Sequence, residues 1–249
     1  MINVIRAELF KNSRRSSFYI ICIIILLTFI SAPIIFKILS IDCTIEYQKQ
    51  LLQLFNNIIT IFPIFSILFT SILSEEYSEN TLKNVIPHNI NKSNYFLGKF
   101  TSQLIFMGII CLLSLGGFVI SFAFSFNLDN TIQPLLIDSI RRFICAIPSF
   151  CVSIALIDLL VILFKKDSIV YIIYLIFFSQ LPLIAGSLKE LLPNYLNNFT
   201  NYIFLMVLSN LSKISVTSKD LVFTSLNGVF YTTILIFISY SIFKKQEIK

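Results

Sequence analysis

The sequence predicts an all-α membrane protein with six transmembrane helices. Three observations predict it. The 249 residues are 56% hydrophobic, with a mean hydropathy of +0.86. The apolar residues fall in long uncharged runs, with no strand-like alternation. The Lys and Arg residues of the connections are also unevenly shared between the two sides those runs define. A span needs about 20 mostly apolar residues to cross about 30 Å of hydrocarbon. A helix satisfies all its backbone hydrogen bonds within one segment, so it is the element such runs must form.

Taken in order, residues 1–17 read as a short amphipathic helix in the cytoplasmic interface. Ile2, Ile5, Leu9 and Phe10 recur at helical spacing, with Arg6, Lys11, Arg14 and Arg15 as polar partners. Phe18 to Phe36 carries no charge over 19 residues and forms the first span. It has no small-residue cleavage site behind it, so it reads as a retained helix. Residues 37–50 form a short exterior loop. Leu51 to Ser74, 24 uncharged residues, forms the second span. Residues 75–99 are the longest charged connection. Glu75 to Ile86 holds good helix formers, Pro87 stops that helix, and Ser93 can cap the third span.

The third span lies in the uncharged stretch Phe100 to Leu128, over about 100–126, and is joined outside by 127–142 to the fourth, Phe143 to Phe164. Lys165, Lys166 and Asp167 make a tight hairpin into the fifth, about 168–187. Leu221 to Phe243 forms the sixth. The uncharged run Leu191 to Ser212 is different: it holds Pro193 and five Asn, and only Tyr202 to Leu208 is strongly apolar. That is too short to cross and fits a re-entrant or interfacial segment. The chain is read as one transmembrane domain over 1–249.

With six spans both termini share a side. That side carries twelve Lys and Arg against seven on the other, which places the termini in the cytoplasm. The net charge of +6 is then a topological signal that also favours anionic lipid, and no nucleic-acid partner is needed. Five cysteines, four of them within spans, make no disulfide framework.

Residue sets for chemistry are nearly absent. One histidine, His88, cannot build a zinc site, and no HExxH set or GxxxxGK[ST] phosphate loop is present. No catalytic, metal or cofactor residue is therefore assigned. Asp158 is the one carboxylate deep in a span, about 9 Å of helix rise from its cytoplasmic end. Its two readings are a structural group, held by Lys165, Lys166 or a neighbouring helix, and a group used in coupling or passage. Arg141 and Arg142 read as snorkelling anchors at the outer mouth of the fourth span. Gly117, Ser121 and Ser125 fall at four-residue spacing and predict a close helix–helix contact, within the chain or with a partner. Pro33, Pro63, Pro148 and Pro182 lie inside spans, where each frees a carbonyl and allows a kink. In the 75–99 connection, Glu75, Glu76 and Glu79 on one part and Leu82, Val85 and Ile86 on another suit a rigid element docking into a partner.

Two stretches and the overall layout carry a resemblance. IRAELFKNSRRSSFYI (5–20) and EEYSENTLKNVIPHNINKSNYFLGKF (75–100), in a six-span chain with a partly apolar exterior segment before the last span, resemble ABC-2 type transporter permeases. The resemblance is closest to bacitracin-resistance and lantibiotic-immunity permease subunits. It departs at Asn80, where the family often has Gly before the Thr.

The resemblance implies a coupling helix over 75–86, with Glu75, Glu76, Tyr77, Glu79, Thr81, Leu82, Lys83, Val85 and Ile86 facing a separate ATP-binding subunit. It implies a connecting helix over 1–15 that includes Ile5, Glu8, Leu9 and Lys11, and exterior re-entrant helices over 188–212. It implies two ATP-binding subunits that bind the ATP and Mg, a second permease, identical or paralogous, and export of amphipathic or antimicrobial peptide-like molecules from a bacterial cytoplasmic membrane. A gradient-driven secondary transporter, or a membrane scaffold without an ATPase, is the competing expectation.

Overall fold

The computed structural model describes residues 1–39, 45–78, 91–126, 129–191 and 202–246, and its regular elements there are all helical. Helix α1 runs Ile2–Ser13 and α2 Ser16–Leu39. Helix α3, Ile45–Ile61, passes through a 3₁₀ segment, Phe62–Phe69, into α4, Thr70–Ser78. Then come α5, Lys92–Ser125, α6, Ile132–Phe164, and α7, Asp167–Leu191. Short α8, Phe204–Asn210, precedes α9, Ser218–Lys245. Six stretches are long and apolar enough to cross a membrane, as the sequence predicts: Phe18–Ile38, Ile45–Tyr77, Lys92–Ser125, Ile132–Phe164, Asp167–Ile184 and Ser218–Lys245.

Several helices outrun the hydrophobic runs that predict them. Residues 45–50 and 132–142, read as loop, are helical, and α5 begins eight residues before Phe100. A 34-residue helix is about 50 Å long at 1.5 Å per residue, well beyond the hydrocarbon. Hydropathy marks what sits in lipid and does not see helix that continues past it. Ser93 does not cap α5: Asn91 holds the N-cap, without a side-chain hydrogen bond.

The second span is not one regular helix. Its 3₁₀ segment starts at Phe62 and carries in its first turn Pro63, which has no N–H to give. The Ser66 and Tyr174 hydroxyls, 3.0 Å apart, both donate to the Pro63 carbonyl, at 2.5 and 2.9 Å. Tyr174 thus binds α7 to the irregular turn. A mid-span 3₁₀ stretch is a common mark of a hinge.

The core lies between the second, third and fourth spans. Their most apolar windows bury 50, 44 and 56% of their residues, against 22, 11 and 17% for the first, fifth and sixth, so the latter three are the more peripheral spans of the chain. Aromatic rings fill the centre. Phe55 stacks on Phe118 at 4.0 Å, and Phe62 meets Phe150 at 4.7 Å and Phe143 at 5.3 Å. Offset and edge contacts of this kind add about 0.5–1.5 kcal/mol each beyond buried area.

Small residues set the closest helix approaches. Gly117 of α5 sits under Ile30, whose Cγ1 would be 3.4 Å from an added Cβ, and the Ser121 hydroxyl donates to the Ile30 carbonyl at 2.6 Å. Ser125 is buried one turn further on. The four-residue stripe therefore meets α2 of the same chain. Gly228 of α9 is tighter still: an added Cβ would lie 2.7 Å from the Pro148 carbonyl carbon and from the Ser149 nitrogen of α6.

Candidate functional site

The candidate site is a buried ionic node at the end of the bundle where both termini lie. Three separate elements build it. Lys99, on the second turn of α5, is 1% exposed. Its Nζ donates to Glu76 Oε1 of α4 at 2.7 Å and to the Ile72 carbonyl at 2.8 Å, and is ion-paired with Glu8 Oε1 of α1 at 2.6 Å. Three oxygens thus surround the ammonium. The Tyr95 ring lies 5.4 Å from the same Nζ, one turn back on α5. Asn12 holds Glu8 from behind, donating to its carbonyl at 3.0 Å and to Oε2 at 3.4 Å.

A second, half-exposed cluster sits beside it. Glu75 of α4 accepts from Lys11 at 2.9 Å and from Arg15 in the turn after α1. Arg15 also reaches the Ser71 hydroxyl at 3.4 Å. Tyr77 donates to Gln246 Oε1 at 3.0 Å, and Gln246 in turn donates to the Ile162 carbonyl at 3.0 Å. Lys92 reaches the carbonyls of Lys244 and Gln246 at 3.2 and 2.9 Å. The last turns of α4 are therefore lashed to α1, α5, α6 and α9.

One turn deeper, Gln103 donates to Asp158 Oδ1 at 2.8 Å and to the Phe69 carbonyl at 3.4 Å. Lys99 and Gln103 are four apart on α5 and share a face. Asp158 is 1% exposed and takes its hydrogen bond from a neighbouring helix. Lys165 and Lys166 are exposed and make no described contact with it. Oδ2 of Asp158, Oε1 of Gln103, Oε2 of Glu76 and the hydroxyls of Ser74 and Tyr95 have no partner among the described residues. A polar seam thus runs from the node into the bundle.

The structure overturns one expectation, on Arg142, and adds contacts to two others. The packed face of α1 is polar: Glu8 and Asn12 are buried, while Ile2 and Phe10 of the expected apolar stripe are 64 and 59% exposed. Val4 also packs at this interface, 2.9 Å from where a Cβ on Gly98 would stand. Glu75, Glu76 and Tyr77, expected to face a partner, are engaged within the chain. The remaining expected docking residues, Glu79, Thr81, Leu82, Lys83, Val85 and Ile86, lie outside the described residues, as does His88. Arg142 does not snorkel. It is 4% exposed, pairs with Asp138 Oδ2 at 2.6 Å and donates to the carbonyls of Leu211, Lys213 and Ile214.

Sequence reading missed Lys99 and Gln103 as site residues. Their signal was present: Tyr95, Lys99 and Gln103 recur every four residues on one face, and polar groups on a span turn inward.

Six candidate spans, with the N-terminal helix ion-paired to the ends of spans two and three, define a multi-pass helical membrane protein. No described group of three or more His, Cys, Asp or Glu is placed to hold a metal ion. The family described as ABC-2 family transporter protein matches residues 4–182, and the chain belongs to it. No curated protein matches the chain. The match spans α1 from residue 4, the node, the first four spans and most of the fifth, and it makes the chain a permease component of a transporter.

Proposed function

We propose that the chain is the membrane-spanning subunit of an ATP-driven exporter, coupled to a separate ATP-binding subunit through the segment that follows α4. The observation that most supports this is the meeting of Glu8, Glu76 and Lys99. A force applied beyond Ser78 would enter a stem whose charges are bound to α1 and α5, and would move those helices together. In this reading Glu75, Glu76 and Tyr77 are the root of the coupling element, and Glu79, Thr81, Leu82, Lys83, Val85 and Ile86 are its docking tip. The chain itself binds no nucleotide; ATP and Mg belong to two copies of the partner ATPase. A second permease, identical or paralogous, completes the pathway.

Both termini are read as cytoplasmic, on the Lys and Arg distribution of the connections, and the membrane as a bacterial cytoplasmic membrane, on the sequence resemblance. Residues 188–212 are read as the exterior re-entrant segment, and α1 as the interfacial connecting helix. The cargo is proposed to be amphipathic or antimicrobial peptide-like, with resistance or self-immunity as the outcome. The basis is the Ile-, Leu- and Phe-rich surface of the spans and the sequence resemblance to bacitracin-resistance and lantibiotic-immunity permeases.

The test is a gentle-detergent pull-down from the native membrane with mass spectrometry of the co-purified chains. A P-loop ATPase at near-stoichiometric amount is the expected result. Recovery of the chain alone, under conditions that preserve known membrane complexes, would transfer the weight to a gradient-driven transporter or a scaffold. Leu82→Arg and Glu79→Arg are expected to lose the ATPase from the eluate while the chain still inserts.

A further inference from the structure

The coupling contacts leave one buried acid of the bundle unused. Asp158 of α6 accepts one hydrogen bond, on Oδ1, from Gln103 Nε2 at 2.8 Å. Gln103 is fully buried on α5, and its Nε2 also donates to the Phe69 carbonyl at 3.4 Å. Those two acceptors fix which end of the amide is nitrogen. Phe69 closes the 3₁₀ segment, so the Gln103 side chain ties that hinge to α6. Two oxygens then remain, Gln103 Oε1 and Asp158 Oδ2. Both are buried and neither has a donor among the described residues. A buried acceptor left in that state carries the full cost of its lost hydration. Here two of them sit on side chains that one hydrogen bond already joins.

The neighbouring elements do not relieve them. Lys99, one turn away on α5, is taken by Glu8, Glu76 and the Ile72 carbonyl. Tyr77 of α4 donates to Gln246, and Tyr174 of α7 to the Pro63 carbonyl. The buried hydroxyls of Ser74 on α4, Tyr95 on α5 and Ser239 on α9 have no partner, so none of them reaches Asp158. Charge points the same way. An ionised Asp158 would be a third buried carboxylate beside a single buried ammonium. Lys11, Arg15 and Glu75 lie at the half-exposed rim and are paired with one another. A buried carboxylate with no cation of its own neutralises instead of keeping its charge.

We infer that Asp158 is a neutral acid whose proton rests on Oδ2 and is donated to Gln103 Oε1, so that acid and amide close a two-bond ring between α6 and α5. One proton then satisfies both remaining oxygens. The ring suits the two groups: an amide presents a carbonyl and an N–H side by side, as a carboxyl presents its two oxygens, and the second N–H is left for Phe69. The pair is an uncharged latch that holds the 3₁₀ hinge and α5 to α6, and it leaves Lys99 to Glu8 and Glu76. On ionisation the proton would leave Oδ2 for water, the bond to Oε1 would be lost, and the new carboxylate would compete for Lys99. The latch belongs to the chain alone and stands whether or not an ATPase is its partner.

The test is infrared spectroscopy of the full chain in phosphatidylcholine nanodiscs at neutral pH, without an ATPase, so a failure of coupling does not enter. The comparison is Asp158→Asn, which keeps a donor where the proton rests. The difference between the two spectra is expected to show one protonated-carboxyl carbonyl band, above the amide bands, that moves down in heavy water. A carboxylate band in its place would overturn the proposal. Gln103→Leu removes the acceptor of that proton and is expected to shift the acid band upward; an unmoved band would overturn the pairing. Thermal unfolding supplies an independent reading. Asp158→Asn is expected to melt close to the parent chain, because its Nδ2 donates to Gln103 Oε1 in place of the acid. Asp158→Leu and Gln103→Leu each strand one buried partner and are expected to melt clearly lower. Asp158→Asn melting as low as Asp158→Leu, or failing to fold, would show that the contact depends on a charge and would also overturn the proposal.

Discussion

Lys99 offers the sharpest test of the node. In Lys99→Met the carboxylates of Glu8 and Glu76 keep their burial and lose the ammonium that sits 2.6 and 2.7 Å from them. Each would face the other across the vacated space. Removing one partner of a buried ion pair costs about 3–5 kcal/mol, because the stranded charge is uncompensated. Here two charges are stranded on one cation, so the upper part of that range is expected. The Ile72 carbonyl also loses its donor, and the Tyr95 ring its cation. Thermal unfolding of the detergent-solubilised chain, read by intrinsic fluorescence or light scattering, should show a large drop in midpoint.

The companion variant is the triple change Glu8→Gln, Glu76→Gln, Lys99→Met. It removes all three charges at nearly constant volume. Replacing a complete buried ion cluster by neutral groups is often neutral or stabilising, so most of the lost stability should return. If the node transmits force, the triple variant should be stable and yet export poorly. Lys99→Met with an unchanged midpoint would refute the burial and pairing on which the site rests. A triple variant that exports normally would leave the node as a structural clamp alone.

Three further outcomes follow from local geometry. Gly228→Ala forces a Cβ against α6 backbone that cannot rotate away, so the α6–α9 contact must open by a few tenths of an ångström or more; a loss of about 1–3 kcal/mol in thermal unfolding is expected, while Gly116→Ala, with open space, is expected to be near neutral. Lys165 holds a left-handed conformation, φ 57°, as its N–H donates to the Val161 carbonyl at the end of α6. Lys165→Gly should therefore stabilise by about 0.5–1 kcal/mol, read by the same melt. Thr217 and Asp220 form a reciprocal capping box at the start of α9, and Thr217→Ala should cost about 1 kcal/mol and increase amide exchange across the first turn of that helix.

Much of the architecture was legible in the sequence because lipid imposes a one-dimensional rule. A run of about 20 uncharged residues must be a helix that crosses, so six spans, the tight 165–167 hairpin and the short segment near 204–210 could be placed by reading along the chain. The stripe Gly117, Ser121 and Ser125 was visible for the same reason, as periodicity on one helix. The polar face of α1 was not. Its apolar residues recur at helical spacing, and only the presence of Lys99 within reach of Glu8 makes the polar face the buried one. Residue identities declared neither the inward turn of Glu75 and Glu76 nor the engagement of Arg142 with a segment about 70 residues away. Composition and periodicity determined which six segments are long and apolar enough to cross, and not how far their helices extend beyond them. The tertiary structure alone decided which charges meet, because a buried cation is satisfied by whichever carboxylates the packing brings within 3 Å, and that choice depends on three helices at once.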